Sequence, residues 1–275
     1  MTRLGPSKIW KNEASGGQEA AVGQMVMWIP FTCGSTIDTN AAIADVGENS
    51  DALLPGQGIR QSVMVHFKKL RANAFVKNLS EHDVHVQVYW CYARDRFFHN
   101  VHSGVKGTAL GLLEDGFKER MLDADETTQG LIKSSNALVC WVHELNPYYS
   151  TPFMSKFKIY KTRRRTLKPA DSMSVSCGKT PKYPIAAHQL VDDHEDALRK
   201  ITCFPIVKFF GTLGHEKLAN TTVSTMKCTM GYVVKKTISF TYDNPHYPLI
   251  ALSNSKPTTG DFEGPAEFME VDDDA

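Results

Sequence analysis

The chain has 275 residues, 42% of them hydrophobic and 22% charged, a balance that supplies a buried core and excludes a wholly disordered polymer. Its formal net charge is only +1, which excludes a uniformly basic or acidic protein, although the charge is sorted by segment. The opening residues, MTRLGPSKIWKNEASGGQEA, lack the basic-then-apolar order of a secretory signal, and no apolar run nears the ~20 residues of a membrane helix, so a soluble, intracellular product is expected.

In chain order, residues 1–22 are expected to form a flexible N-terminal segment, residues 23–247 a folded domain and residues 248–275 a mobile acidic tail. Strand patterns run over 24–32, 61–68 and 71–78. The clearest is VHVQVYWCY, where Val84, Val86 and Val88 alternate with His85 and Gln87 before Tyr89, Trp90 and Tyr92. A helix is predicted over 105–122, because Leu110, Leu113, Phe117 and Met121 recur at three- and four-residue steps, although Gly111 and Gly116 weaken it. Further strands are predicted at 138–142, 156–163, 172–177, 201–212, 222–229 and 233–242, with turns at LPGQG, NLSEHD, NPYYSTP, KPAD and DNPHYP. About ten strands and one helix, joined by long irregular connections, imply an all-β two-sheet sandwich with Greek-key crossings.

The charge pattern is the main functional signal. Lys156, Lys158, Lys161, Arg163, Arg164, Arg165 and Lys168 follow one another with no acid between them. Like charges on an ordered segment call for a counter-charge, and nucleic-acid phosphates supply one through counterion release. A solvated edge strand protected by its lysines is the simpler reading of the same residues. Lys68, Lys69 and Arg71 form a weaker second set. Strict alternation sets Arg163 and Arg165 against Arg164, so either a bulge intervenes or the strand has ended by Arg163. Asp192, Asp193, Glu195 and Asp196 could offer oxygens to calcium but lack the alternating ligand spacing, and otherwise form a solvated loop.

No H-E-x-x-H, G-x-S-x-G, P-loop or G-x-G-x-x-G is present, so no catalytic residue or cofactor is assigned and a non-enzymatic protein is expected. Cys33, Cys91, Cys140, Cys177, Cys203 and Cys228 form no C-x-x-C pair and are read as reduced thiols, several on strands. Trp28, Trp90 and Trp141 suit a core or an interface, which leaves Trp10 as the candidate for stacking on bases. Phe97, Phe98, Tyr148, Tyr149 and Tyr247 either anchor self-association or cover the ends of the core.

The run NLSEHDVHVQVYWCYARD (78–95), then TPFMSKFKIYKTRRRTLKPADSMSVS (151–176) and MGYVVKKTISFTY (230–242), resembles capsid proteins of circular Rep-encoding single-stranded DNA viruses over about residues 60–243. The resemblance implies a single eight-stranded jelly roll with one short helix in a long inter-strand loop. It also implies self-assembly into a small (T=1) icosahedral shell around circular single-stranded DNA, in a virion built inside the host cell, in or outside the nucleus. Lys161, Arg163, Arg164, Arg165 and Lys168 would then face the genome, with Lys68, Lys69 and Arg71 as the second set; the host receptor is undetermined. Where that family carries an arginine-rich arm, residues 1–24 hold only Arg3, Lys8 and Lys11 against Glu13 and Glu19. Genome contact then rests on the folded domain, on a segment preceding this sequence, or on weak recruitment. The acidic tail suggests a rival, a nucleoplasmin-like jelly-roll histone chaperone, and the exposed aromatics a third reading, a carbohydrate-binding sandwich.

Overall fold

The computed structural model describes residues 7–35, 38–39, 41–42, 64–94, 108–121, 132–186, 197–214 and 224–242. Period-2 alternation builds the first sheet. On β3 (Met64–Asn78), Val65, Phe67, Leu70, Ala72, Ala74 and Val76 are buried, and on β13 (Cys228–Tyr242), Met230, Val234, Ile238 and Phe240 are buried beside them. The strand order is β1 (Lys8–Ala20), β13, β3, β8 (Ser172–Cys177), with β9 (Ile185–Ala186) pairing the start of β3, and the pairings are antiparallel. The frame of β3 changes at Lys68, an extra residue between the Phe67–Phe240 and Lys69–Ser239 pairs. This bulge explains why the pattern reads as two strands, 61–68 and 71–78, where the described chain forms one.

The second sheet has the order β5 (Lys133–Ser134), β6 (Ala137–Cys140), β2 (Met25–Trp28), β10 (Cys203–Gly211), β4 (Val84–Ala93), β7 (Phe157–Leu167). Its central strands are apolar almost throughout because both faces are covered. Val26, Trp28, Val84, Val86, Val88, Trp90, Val207 and Phe209 share one core with the first sheet. Trp28 meets Tyr232 edge to face at 5.2 Å, and Trp90 Nε1 donates across the gap to the Ser176 carbonyl at 2.9 Å. On the other face, Met25, Met27, Tyr89, Cys91, Phe204 and Ile206 form a second core with two helices, α1 (Ala109–Arg120) and α2 (Thr151–Lys156). A short ladder joins β11 (Leu213–Gly214) to β12 (Ser224–Thr225). The architecture is thus a mostly-β sandwich, antiparallel in every pairing among the described residues, with a partial helical layer on one side.

Within the predicted helical span, α1 starts after Thr108, whose hydroxyl accepts from Gly111 N at 3.2 Å, and it buries Leu110, Leu113 and Phe117. Gly116 has a packing role: a Cβ there would collide with Ser150, whose hydroxyl donates to the Leu112 carbonyl at 2.6 Å and accepts from Phe153 N at 3.2 Å. The glycine lets α1 lie against the N-terminus of α2.

Several expectations are corrected. Residues 8–20 lie inside the segment expected to be flexible, yet they form β1, the edge of the first sheet, so the domain boundary at residue 23 falls too late. Only two of the thirteen β1 residues, Trp10 and Ala20, are buried; a backbone ladder and the ion pairs Glu13–Lys235 at 2.6 Å and Glu19–Lys227 at 3.0 Å hold it. Trp10, considered for base stacking, lies in the core. The single predicted helix is joined by a second, α2, where the Pro- and Tyr-rich turn at 146–152 hid the cap that Ser150 supplies to it, behind a 3-10 turn (Pro147–Tyr149) capped by Asn146. Of the two readings of Trp141, core or interface, its 44% exposure removes the core and leaves the interface open. The predicted strand at 222–229 divides into β12 and the start of β13.

One amide joins the two sheets where the basic strand ends. The buried Asn78 side chain, at the end of β3, donates from Nδ2 to the carbonyls of His82 (2.7 Å), Leu167 (3.0 Å) and Lys168 (3.1 Å), and its Oδ1 accepts from Ser80 N at 2.8 Å. Its backbone N–H donates to Asp171 O at 2.9 Å. These bonds pin the Lys168–Pro169–Ala170–Asp171 turn, a type II geometry with Ala170 at φ 65° and Asp171 N donating to Lys168 O at 3.0 Å. Asn78→Ala removes the donor from three carbonyls at once. It is expected to lower the unfolding free energy by about 2–3 kcal/mol in urea titration, with an unchanged m-value.

Candidate nucleic-acid interface

β7 is the outer strand of the second sheet and pairs only with β4 among the described residues. Phe157, Ile159 and Leu167 anchor it in the cores, and Lys158 and residues 160–166 are exposed. A bulge falls at Tyr160, between the Cys91–Ile159 and Trp90–Lys161 pairs, and the strand then runs unbroken to Leu167. The bulge therefore precedes the arginines and does not unite them. Lys161, Arg163 and Arg165 stand opposite Trp90, Val88 and Val86, on the side that faces the first sheet, whereas Arg164 stands opposite Gln87 on the other.

On the first side the bases crowd the seam between the sheets. Lys161 Nζ lies 4.9 Å from the Trp90 ring centroid, and Arg165 Nη1 reaches the Ser172 carbonyl of β8 at 3.5 Å. β8 itself exposes Ser172, Ser174 and Ser176 and carries no acid. Beyond it lies β3, with Lys77 registered on Ser172. Arg71 is exposed on the same outer face, its Nε donating to Asn73 Oδ1 at 2.9 Å, and Gly178 packs against its backbone. The two predicted basic sets therefore flank β8, with Lys69 in register on the β3 face and Lys68 in its bulge. Lys168 sits exposed in the turn after β7.

Reading the sequence missed part of this surface. Lys179 Nζ lies 4.8 Å from the Tyr92 ring, Lys182 Nζ lies 5.6 Å from the Tyr183 ring, and Tyr160 packs on Tyr92 with centroids 5.9 Å apart. Tyr183 is 72% exposed and Tyr160 48%, so bases alternate with accessible aromatic faces, the combination that grips unpaired nucleotides. The signal was the stretch KTPKYP directly after β8.

On the opposite side, Arg164 borders a cleft of about 710 Å³ with His85, Gln87, His143, Glu144, Lys208 and Phe210. Lys208 is buried and donates to the carbonyls of Leu145 (2.7 Å) and His143, and burial draws it down to about 8. That cation holds the 143–145 loop. Burial, and after it the Lys208 charge, also lowers His143; the exposed guanidiniums at this cleft are those of Arg164 and, at its border, Arg165. Tyr148 and Tyr149 lie nearby, half-exposed, one against Tyr89 at 6.0 Å and bonded to Thr162 Oγ1 at 3.2 Å, the other under the Arg120 guanidinium at 4.3 Å. Phe97, Phe98, Tyr247 and the carboxylates Asp192, Asp193, Glu195 and Asp196 lie outside the described residues.

Among the described residues, Lys161, Arg163, Arg164, Arg165 and Lys168 make no ion pair; those present are Lys118–Glu114, Lys227–Glu19, Lys235–Glu13 and Lys236–Asp38. The row does little for stability, since exposed surface contacts contribute little and like charges repel. Replacing Arg163, Arg164 and Arg165 together by Ala is expected to change the unfolding free energy by less than about 1 kcal/mol in denaturant titration. No family model, curated protein or solved structure matches the chain.

Proposed function

We propose that the protein is the coat subunit of a small icosahedral virus and packages single-stranded DNA through non-specific contacts with its phosphates. The observation that carries this reading is the exposed, acid-free row of bases on edge strand β7, interleaved with Tyr160 and Tyr183 and continued past β8 by Lys77 and Arg71. Such a surface grips a flexible polyanion without reading its bases.

Strand order supports the finer fold. With the short β5, β6, β9, β11 and β12 set aside, eight strands remain. In chain order they form one sheet as first, eighth, third, sixth and the other as second, seventh, fourth, fifth. That is the order produced when a long antiparallel hairpin is rolled into a jelly roll, a unit suited to tiling curved shells. In this reading the half-exposed Tyr148 and Tyr149 contribute to contacts between copies.

Electron microscopy of the purified protein is expected to show closed particles of uniform size. In filter binding with a single-stranded oligonucleotide, affinity should fall steeply with salt. Arg163→Ala, Arg164→Ala and Arg165→Ala together should reduce the log–log salt slope by about 2, at roughly 0.7 per lost phosphate contact, and should reduce nucleic acid per particle. An unchanged slope and nucleic-acid content would remove these arginines from the role. Histone binding without DNA retention would replace the reading with the chaperone.

A further inference from the structure

Three of the buried cysteines meet in space. Cys33 follows β2, Cys177 ends β8 and Cys203 begins β10, and their Sγ atoms all lie within 4.8 Å of one another. None forms a disulfide, and each is at most 5% exposed. Cys33 and Cys203 form an isolated antiparallel bridge with reciprocal N–H to O bonds of 2.8 and 3.0 Å, so the backbone fixes two of the three sulfurs. Cys177 arrives from the opposite sheet, and its Sγ contacts the Cys203 carbonyl at 3.7 Å.

We propose that this cluster is a zinc site that fastens the two sheets together. Zinc–sulfur bonds of about 2.3 Å put tetrahedral sulfurs about 3.8 Å apart, a contraction of no more than about 1 Å from the observed cluster. The donors are preorganised by strands on both sides of the core, which reduces the ordering cost of binding.

The candidate for a fourth donor is Asp38, whose carboxylate lies outside the 4.8 Å cluster and would have to move in to bind. Asp38 is buried and its charge acts on both Cys33 and Cys203. Its Oδ1 accepts from Lys236 Nζ at 2.6 Å, while its buried Oδ2 has no hydrogen-bond partner among the described residues. Three thiolates and a carboxylate around a divalent ion leave a charge of −2, offset by Lys236 on Asp38 and by Lys179, whose charge acts on Cys203. The oxygen donor and this charge count favour zinc over monovalent copper, which prefers an all-sulfur set.

The test uses the full chain, refolded under reductant with Zn²⁺ or, as a spectroscopic probe, Co²⁺. The expected result is about one metal per chain, with sulfur-to-cobalt charge-transfer absorption and the visible bands of a tetrahedral ion. Removing zinc should lower the melting temperature. Cys177→Ala and Cys203→Ser should each abolish the charge-transfer band, while Cys228→Ser, buried outside the cluster, should retain it. Circular dichroism checks that each variant folds, and Cys177→Ala, which adds no buried hydroxyl, keeps the test decisive if Cys203→Ser does not. Asp38→Asn should keep the sulfur band and shift the visible ones. Absence of a sulfur–cobalt band in the reduced wild type, its survival in folded Cys177→Ala, or a disulfide among these cysteines in the freshly isolated protein would overturn the proposal.

Discussion

The arrangement depends on a corner. A sandwich whose basic edge strand belongs to one sheet and whose next strand belongs to the other must turn the chain through the seam without leaving buried carbonyls bare. Asn78 meets that demand: one buried amide binds the end of β7, the turn that follows it and the chain between β3 and β4. Because it fixes where β7 stops, it fixes which of its residues stand opposite Val86 and Val88, and so which bases line the seam.

β7 divides stability and function between its ends and its middle. Phe157 and Ile159 lock one end beneath the helices and Leu167 locks the other in the inter-sheet core. Between them the side chains are exposed and meet only surface partners, such as the Trp90 ring under Lys161 and the Ser172 carbonyl beside Arg165. An interior strand of the same sheet could not carry such a row, since β10 and β2 are covered on both faces and the one cation admitted there, Lys208, is bonded to two carbonyls. The edge is where this fold can hold concentrated positive charge without desolvating it.

What could be read in advance followed the physics of each signal. Alternation made β4, β8 and the later half of β13 plain, and helical spacing marked α1, because in each case burial of side chains selects the conformation. β1 was hidden because main-chain bonds to β13 and surface ion pairs hold it, neither of which leaves an apolar period. α2 was hidden behind prolines and tyrosines that read as a turn. The basic row was legible as charge, but its division between two faces required the register of β4. Tyr160 and Tyr183 became visible as one surface with Lys179 only when strands from different sheets met. The cysteine trio had no local signature at all, its members lying on three distant elements.

All six cysteines are reduced and buried, and four of them, Cys33, Cys177, Cys203 and Cys228, belong to the core shared by the two sheets. An alkylating reagent can reach Cys228, which lies outside the cysteine trio, only when the layers part, so the rate of its modification in the native protein is an internal clock for the breathing of the sandwich.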